Sequence, residues 1–425
     1  MSDKKSPRDT SAQNANPRET AVKALMQMGK GGRFSDALLS ETLDFAQMSG
    51  VNKRFCANLF YGVIERKLTL DEIIRSYSKI PLIKLDPEIK NILRTGLYQL
   101  LYMNSVPDNA AVDEAVKLCA AFKKTSGKGF VNALLRQFLR DSKRIPNIDN
   151  FSVKYSINPD IYDSFKSDYG EKKANEILES FFRTDVTYIR LNSRRFTKDN
   201  LPENFSETDI PNVFSGGNPG INSSEFKAGV YHIQDYSCAY ALNLMEIRGG
   251  EDILDVCAAP GGKSFTLAEM TSGSVYACDI SAKRLAKVED GIKRLGLSNI
   301  KTFLHDGKVF DESFPKFSRI LCDVPCSGLG VIRKKPEIRY KNVSDFSHLP
   351  EVQYDILENS VRYLADGGVL LYSTCTLKKA ENEDVIARFL ENHNDFPKSM
   401  IEMRTIFPGD FNSDGFFIAK LKAVK

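Results

Sequence analysis

The second half of the chain alternates short apolar segments with amphipathic helical ones, and this pattern restricts the fold more than any other feature. Strands that alternate with helices form a parallel sheet, because each parallel connection needs a crossover. Helices then cover both faces of that sheet. The predicted strands are Ile253 to Cys257, Ser274 to Ile280, Ile300 to His305, Arg319 to Asp323 and Gly368 to Ser373. We therefore predict an α/β domain over residues 236–425.

The first half has a different pattern and is predicted to be helical. Ala-, Leu- and Lys-rich segments run from Arg18 to Arg144, broken at Gly29 to Phe34 and at three Pro-containing sites. A boundary rich in Pro and Asn follows residue 145. We predict a disordered tail (1–17), an all-helical domain (18–145), and a linker with a small α/β section (146–235). In that section we expect a helix near 160–182 and a strand at 187–191.

Composition excludes several classes of protein. The 425 residues contain no apolar run near the ~20 needed to cross a bilayer, and residues 1–17 are polar with no signal-peptide core. We expect a cytoplasmic protein. The eight cysteines lack a disulfide framework spacing, which favours reduced thiols. Cys322 and Cys326 are followed by no second pair, so no metal site is expected.

A basic stretch closes the helical half. Between Lys117 and Arg144 the only acid is Asp141, against eight Lys or Arg residues. Apolar residues recur there at helical spacing, which places Arg136 and Arg140 on a different face of the helix. Clustered cations bind phosphates but also keep surfaces soluble, so nucleic-acid binding and a solvated surface both remain open.

The exit of the first strand carries the best-defined loop. Asp255-Val-Cys-Ala-Ala-Pro-Gly-Gly-Lys-Ser264 puts two Gly at a strand-to-helix turn, where backbone can approach a ligand and the helix N-terminus favours an anion. The alternative is a plain Gly turn. Residues 257–264 nearly match a P-loop, except that Cys257 replaces the first Gly, so a phosphate-cleaving enzyme is a competing hypothesis. Three strands end in acids: Asp279, Asp306 and Asp323. Carboxylates would repel a triphosphate but can accept hydrogen bonds from ribose hydroxyls, so they favour a bound adenosine.

Two thiols follow predicted strands in the same domain. Cys326 and Cys375 each lie just past an apolar run, where ligands bind in parallel sheets. Most free cysteines are inert core residues. Two at equivalent strand ends, both beside Ser or Thr, instead indicate covalent chemistry.

Several of these segments occur together in one known family. Three are the loop 255–263, Asp323-Val-Pro-Cys-Ser-Gly328, and Ser373-Thr-Cys-Thr376 with Glu381-Asn-Glu383 after it. They resemble the S-adenosylmethionine-dependent RNA (cytosine-5) methyltransferases, as do Arg333-Lys-Lys-Pro-Glu-Ile338 and Asp414-Gly-Phe-Phe-Ile-Ala-Lys420. The match covers roughly residues 188–421 and implies a Rossmann-like methyltransferase domain.

The helical half has a resemblance of its own. Gly129-Phe-Val-Asn-Ala-Leu-Leu-Arg136 resembles the NusB-like RNA-binding module. The pair of domains is typical of bacterial enzymes that methylate a cytosine of 16S ribosomal RNA. The implied partners are therefore this RNA and S-adenosylmethionine, with no membrane and no metal, and we expect a monomer.

The resemblance implies roles for single residues. Asp279 would hold the cofactor's ribose, Asp306 would lie near its adenine, and Asp323 would sit between cofactor and base. Cys375 would be the nucleophile, and Cys326 would help to release the product. The methionine end of the cofactor would be lined by Cys257, Ala258, Ala259, Pro260, Gly261, Gly262 and Lys263.

The chemistry explains why two thiols and an acid are needed. Carbon 5 of cytosine is a poor nucleophile until a thiolate adds at carbon 6. Asp323 near N3 would stabilise the developing charge, and Cys326, or a water that it orients, would remove the carbon 5 proton. A reactive Cys375 needs an electropositive setting, to which Lys263 is a candidate contributor. A P-loop NTPase and a non-catalytic NusB-like RNA-binding or transcription factor remain the alternatives.

Further RNA contacts are predicted outside the helical half. Arg190, Arg194 and Arg195 lie among apolar residues ahead of the α/β domain. Cys326 is followed closely by Arg333, Lys334 and Lys335, which could hold phosphates beside the target. The alternatives are an exposed strand edge for the first group and a solvated loop for the second.

Overall fold

The computed structural model describes residues 15–29, 35–46, 48–183, 186–221, 223–393, 396 and 401–423. These residues form two compact units, each made of two chain segments. One unit combines residues 1–162 with 334–341, and the other combines 163–333 with 342–425. This division differs from the predicted boundary at residue 145. Most of the predicted tail and most of the break at Gly29 to Phe34 lie outside the described residues.

The first unit is helical throughout its described part, which confirms the prediction of an all-α fold. Its long helices bury one apolar face each. In the last of them Val131, Leu134 and Phe138 are buried at the spacing of a single helix face. No helix within the described ranges is both long and apolar enough to span a bilayer. The helices are α1 (Pro17–Met28), α2 (Ser35–Ala46), α3 (Gly50–Glu65), α4 (Lys67–Tyr77), α5 (Pro87–Tyr102), α6 (Asp108–Ala121), α7 (Lys128–Arg140) and the short α8 (Phe151–Lys154).

A short segment from the second half of the sequence packs into this helical unit. Residues 334–341 include Tyr340, whose hydroxyl donates to the Ile64 carbonyl and accepts from the Lys67 amide. The side chain of Arg339 is fully buried and donates to the Tyr155 carbonyl at 3.1 Å. The segment is therefore part of the core of the first unit, although the sequence pattern assigned it to the α/β domain.

The second unit opens with a helix and a small antiparallel sheet. The strand predicted at 187–191 is confirmed and is the third of four in the order β2-β3-β1-β4. It is buried along most of its length, because it has a neighbour on each side. The elements are α9 (Pro159–Ser180), β1 (Thr187–Leu191), β2 (Phe205–Glu207), β3 (Val213–Gly216), α10 (Ser224–Ala228) and β4 (Tyr231–Ile233).

The larger sheet of this unit has seven strands among the described residues, in the order β10-β11-β9-β8-β5-β6-β7. All five predicted strands are present with shifted ends. The strands are β5 (Ile253–Asp255), β6 (Val275–Asp279), β7 (Ile300–Leu304), β8 (Phe317–Asp323), β9 (Leu364–Thr374), β10 (Ile401–Ile406) and β11 (Phe416–Lys422). The helices are α11 (Tyr236–Asn243), α12 (Gly262–Met270), α13 (Ala282–Leu295), α14 (Leu349–Val361) and α15 (Glu383–Asn392).

Both faces of this sheet are covered, as the pattern predicted. Leu254 and Ile320 belong to one buried apolar cluster, whereas Ile253 and Leu321, their neighbours along the strands, belong to another. Side chains that alternate between two cores explain why the strands are apolar at successive positions.

The sheet is mixed, which corrects the expectation of a parallel one. β11 pairs antiparallel with both β9 and β10. The chain passes from β10 to β11 without a crossover helix, and antiparallel neighbours need none. No strand had been predicted in either segment, although β11 is almost continuously buried.

The strand order determines where a ligand can bind. β5 has β6 on one side and β8 on the other, and both pairs are parallel. After β5 the chain adds β6 and β7 on one side of that strand, and then adds β8 and β9 on the opposite side. The direction of strand order therefore reverses at β5. Crevices form outside the carboxyl ends of strands at such a switch point. Asp255 and Asp323 end the two strands that meet at it.

Candidate active site

The loop between β5 and α12 forms one wall of a cleft at this switch point. Gly261 has φ of 113°, a backbone conformation that favours glycine, and it allows the chain to turn into α12. Asp255 is buried beneath the loop, where its Oδ2 accepts from the Ser264 hydroxyl at 2.6 Å. Its Oδ1 has no hydrogen-bond partner within the described part of the chain. Burial raises the pKa of Asp255 to about 7.

The cleft brings together most of the predicted cofactor residues. Gly261 is not among the residues that line it, whereas Asp255 and Cys238 are. The predicted residues that line it are Cys257, Ala258, Ala259, Pro260, Gly262, Lys263 and Asp323.

The predicted acids of the next two strands lie along the same edge of the sheet. Asp279 ends β6 and is buried; its carboxylate accepts from the amides of Ala259 and Ser281 and pairs with Arg284 at 2.9 Å. Asp306 follows β7 and accepts from the Lys308 amide at 3.0 Å. Asp279 is therefore fixed against the loop of the cleft, whereas the Asp306 carboxylate bonds within its own turn.

Asp323 and Lys263 form the charged centre of the cleft. Lys263 Nζ lies 2.7 Å from Asp323 Oδ2, and the hydroxyl of Ser373 donates to Asp323 Oδ1 at 2.8 Å. Burial acts to lower the pKa of Lys263, but the attraction of Asp323 outweighs it, so this pKa is raised. The ammonium group stays charged, and both carboxylate oxygens of Asp323 are held.

The two predicted thiols meet beside this pair. Cys326 Sγ and Cys375 Sγ lie 3.2 Å apart, although the residues are 49 positions apart in sequence. The hydrogen bond to Cys375, together with burial, raises the pKa of Cys326 well above its usual value. The raised pKa favours the protonated form of Cys326, and either sulfur can be the donor in the hydrogen bond between them.

The expected electropositive setting for Cys375 is only partly present. The charge of Lys263 acts on Cys375, but Lys263 is also ion-paired with Asp323. A further carboxylate, that of the buried Glu381, faces Cys326. The thiols therefore lie between a balanced ion pair and an additional acid.

Two of the predicted RNA contacts are corrected by the structure. Arg190 is 4% exposed, and its Nε donates to Glu269 at 2.9 Å in a buried ion pair. The side chain of Arg333 is 6% exposed and donates to the Asn412 carbonyl. An isolated Arg in an apolar segment indicates an exposed side chain, since Arg is seldom buried unless paired. Here each has a partner distant in sequence, so neither is available to phosphates.

The other candidates remain at the surface. Arg194 lies in an exposed turn, although its guanidinium donates to the carbonyl of Thr271, and Arg195 donates to that of Leu295. Lys334 is exposed and Lys335 half-buried, both in the segment that packs with the helical unit. On α7, Arg136 and Arg140 are exposed beside Asn132 and Gln137.

The basic stretch that includes α7 is less positive than its sequence suggests. Lys143 pairs with Asp108 at 2.8 Å, and Arg136 lies 3.6 Å from Asp113 on a neighbouring helix. Lys124 contacts Asp86 at 3.0 Å. Acids from other helices thus neutralise part of the cluster, which leaves Arg140 as a more accessible charge.

Comparison with known families agrees with the fold. The model of a family described as 16S rRNA methyltransferase RsmB/F matches residues 241–422, and that of the NusB family matches residues 15–140. Together with the strand order, these matches define an enzyme that methylates ribosomal RNA and carries a NusB domain at its N-terminal end.

The full-length relatives narrow this class. A probable ribosomal RNA small subunit methyltransferase B of Synechocystis is 31% identical over 95% of this chain and 99% of its own length. The ribosomal RNA small subunit methyltransferase B of Escherichia coli O1:K1 is 30% identical over 96% and 98%. The chain belongs to the ribosomal RNA small subunit methyltransferase B family.

A solved structure shows the same fold over almost the whole chain. The crystal structure of PH0851 superposes with a TM-score of 0.79 at 23% identity, and covers 96% of this chain and 99% of its own. Membership of a methyltransferase family overturns the two alternatives left open by the sequence. The P-loop hypothesis also fails on geometry, since Lys263 is held by Asp323 and two further acids, Asp255 and Asp279, end neighbouring strands.

Proposed function

We propose that this enzyme transfers a methyl group from S-adenosylmethionine to carbon 5 of a cytosine in 16S ribosomal RNA, through a covalent bond between Cys375 and carbon 6. The observation that carries the proposal is the 3.2 Å separation of Cys326 and Cys375 beside the Asp323–Lys263 pair. A methyltransferase acting on a nucleophilic nitrogen would need no thiol at that place. Two thiols suit a carbon that must first be activated.

The residues of the cleft fit S-adenosylmethionine. Asp255 Oδ1 is buried and has no hydrogen-bond partner among the residues that the structure describes, and Asp255 lines the cleft, so this oxygen could accept from the cofactor's ammonium group. Asp279 is preorganised at the next strand end for ribose hydroxyls, and the exposed apolar side chain of Ile280 follows it. When bound, the cofactor supplies a methyl group on a sulfonium. The crystal structure of NSun6 from Pyrococcus horikoshii, a structural neighbour at 19% identity and a TM-score of 0.57, was determined with SFG.

The chain's own residues would act on the base in sequence. The thiolate of Cys375 forms a bond to carbon 6, and the electron pair of the 5,6 double bond becomes available at carbon 5. Negative charge develops at the ring nitrogen as the sulfur adds, and it must be met by a proton or a cation. Asp323, positioned by Ser373, would act there together with the Lys263 ammonium group to which it is bonded. After methyl transfer the carbon 5 proton must leave, and its electron pair re-forms the double bond as the sulfur of Cys375 departs.

Cys326 has the geometry for the second half of this sequence. Its sulfur lies in contact with that of Cys375, on the side of the buried Glu381. A group at that position can return a proton to the departing Cys375 sulfur, or act through an oriented water on the carbon 5 proton. Loss of Cys326 is therefore expected to stop the reaction after bond formation.

The experiment incubates the protein with tritiated S-adenosylmethionine and 16S RNA that lacks the modification. Wild-type protein should transfer label to carbon 5 of one cytosine. Cys375→Ala should transfer none, and Cys326→Ala should accumulate a protein–RNA adduct that survives denaturing gels. Cys119→Ala, in the helical unit, is the matched control and should behave as wild type. Label on a ring or exocyclic nitrogen would reject the proposal.

A further inference from the structure

Two buried side chains hold the peptide groups on either side of Cys326. The Nε2 of Gln353, on α14, donates to the Pro325 carbonyl at 2.9 Å. The amide of Ser327 donates to Glu381 Oε2, also at 2.9 Å. Gln353 and Glu381 are bonded to each other at 3.0 Å, and both are fully buried. The backbone that carries the Cys326 thiol is therefore fixed from both ends.

The residue after Glu381 holds the loop of the other thiol in the same way. The hydroxyl of Thr374 donates to Asn382 Oδ1 at 2.6 Å, and Asn382 Nδ2 donates to the Thr376 carbonyl at 3.1 Å. Thr374 and Thr376 flank Cys375, and Asn382 is fully buried. Adjacent residues thus each hold one thiol loop.

Direct contacts between the loops complete this arrangement. The hydroxyls of Ser327 and Thr376 lie 2.7 Å apart, and the Gly330 amide donates to the Cys375 carbonyl at 3.0 Å. A Cβ at Gly330 would lie 2.2 Å from the Gly415 carbonyl oxygen, so the close approach requires glycine there.

We propose that Glu381 and Asn382 are positioning residues that set the distance between the two thiols and keep their roles separate. This inference rests on the proposed covalent mechanism. Glu381 holds Cys326 with its hydrogen bond and faces it with a negative charge, whereas Asn382 orients Cys375, the nucleophile, through its neighbours. Neither residue needs to touch the RNA base or the cofactor.

Packing alone does not account for a carboxylate at position 381. Burying a charged group is costly unless it is well paired, and Glu381 Oε1 has no hydrogen-bond partner within the described residues. An amide of the same shape would satisfy Ser327 without that cost. We therefore infer that the negative charge of Glu381 has a role of its own, which is to disfavour the thiolate form of the neighbouring Cys326.

The charged and titratable groups around the thiols are arranged asymmetrically. Cys326 faces Cys375, Glu381 and Asp323, and it interacts with the buried Tyr372, so the charged groups that act on it most strongly are acidic. Lys263 acts on Cys375. Negative neighbours disfavour a thiolate and a cation favours it, so the arrangement keeps the proton on Cys326.

The test compares Glu381→Gln and Asn382→Ala with Glu383→Gln, a control whose carboxylate contacts Thr405 and neither thiol loop. The first readout is the pH at which iodoacetamide alkylates Cys326 and Cys375, followed by peptide mass spectrometry without RNA or cofactor. In Glu381→Gln, alkylation of Cys326 should shift to lower pH by about one unit, because a negative neighbour has been removed. Glu383→Gln should match wild type.

The second readout separates kcat from KM for methyl transfer. Both variants should lower kcat by about 10²-fold with KM for S-adenosylmethionine unchanged, since misplaced reacting groups slow the chemical step only. Asn382→Asp keeps the acceptor for Thr374 and should recover part of the kcat lost in Asn382→Ala, which also guards against a simple folding defect.

Unchanged thiol titration and a kcat within about twofold of wild type in Glu381→Gln would overturn the inference. If wild-type protein itself labelled no RNA, the proposed function would fail, but the alkylation profile of Glu381→Gln would still decide whether Glu381 acts on the Cys326 thiol.

Discussion

Cys326 Sγ and Cys375 Sγ lie 3.2 Å apart, within hydrogen-bond distance of each other. Two thiolates at that separation would repel strongly, so one of the pair keeps its proton. The hydrogen bond to Cys375, together with burial, raises the pKa of Cys326 and so favours Cys326 as the protonated member. The same separation leaves the sulfurs only about 1 Å further apart than a disulfide needs.

We therefore predict that a mild two-electron oxidant joins these cysteines. Diamide should take up the two thiol hydrogens as the Cys326–Cys375 bond forms, and methyl transfer should stop because Cys375 no longer has a free sulfur. Peptide mass spectrometry should show one crosslinked peptide pair, and dithiothreitol should restore activity. Recovery of a crosslink between any other pair of cysteines would contradict the 3.2 Å contact.

Cofactor affinity should depend on pH through Asp255. Burial raises the pKa of this group to about 7, so it is largely protonated below that value and ionised above it. A cationic ammonium binds the ionised form. Affinity for S-adenosylhomocysteine should therefore rise with pH by up to about tenfold per unit below pH 7 and level off above it. Isothermal titration calorimetry measures this affinity between pH 5.5 and 8.5, a range that extends about 1.5 units to either side of the pKa.

Replacing the titrating group should remove this dependence. Asp255→Asn keeps the hydrogen bond from Ser264 but cannot ionise, so its affinity should be low and nearly flat over the same range. Asp252→Asn is the control, since Asp252 precedes β5 at the opposite end of that strand, where its carboxylate accepts from the Ser274 amide. A wild-type affinity that falls as pH rises through 7 would show that Asp255 does not contact the ammonium group.

The sequence was sufficient for those parts of the site that depend on local pattern. Asp279, Asp323 and both thiols follow apolar strands, and parallel strands bring their carboxyl ends to one edge. Pairing between distant segments leaves no such pattern. Gln353 belongs to no motif in the sequence. Its hydrogen bond to the Pro325 carbonyl exists because α14 packs beside the loop of Cys326. No sequence signal would have found it.

The same limit explains the errors. Arg190 was read as a surface cation, because Arg is seldom buried, but its partner Glu269 is 79 residues away. β11 is apolar, but it pairs antiparallel with β9 and lies outside the helix–strand alternation, so that pattern does not predict it. Segment 334–341 could not be assigned to the helical unit without knowing the contacts of Tyr340.

Arg190 should matter for stability and not for RNA binding. Arg190→Met leaves Glu269 buried without its cation, which typically costs about 3–5 kcal/mol of folding free energy. The double variant Arg190→Met/Glu269→Leu removes both charges and should recover much of that loss. Urea unfolding of the single and the double variant measures the two changes in folding free energy. If Arg190→Met weakened RNA binding while leaving stability unchanged, the buried pair would not describe the protein in solution.

RNA affinity should instead depend on the exposed face of α7. Arg136 and Arg140 point away from the buried residues of that helix, in the part of the chain that matches the NusB family. Changing both to Gln should leave stability within about 0.5 kcal/mol, as for most surface substitutions.

The salt dependence of binding distinguishes a phosphate contact from a general loss of charge. Each phosphate contact removed should lower the slope of log affinity against log salt by about 1, so the double variant should lose up to about 2. Arg388→Gln removes an exposed cation that pairs with Glu351 in the other unit and serves as the control. Filter binding to 16S RNA at several salt concentrations gives the slopes. Equal slopes for wild type and the α7 variant would place the RNA on another surface, and Arg194 and Lys334 would then be the next residues to change.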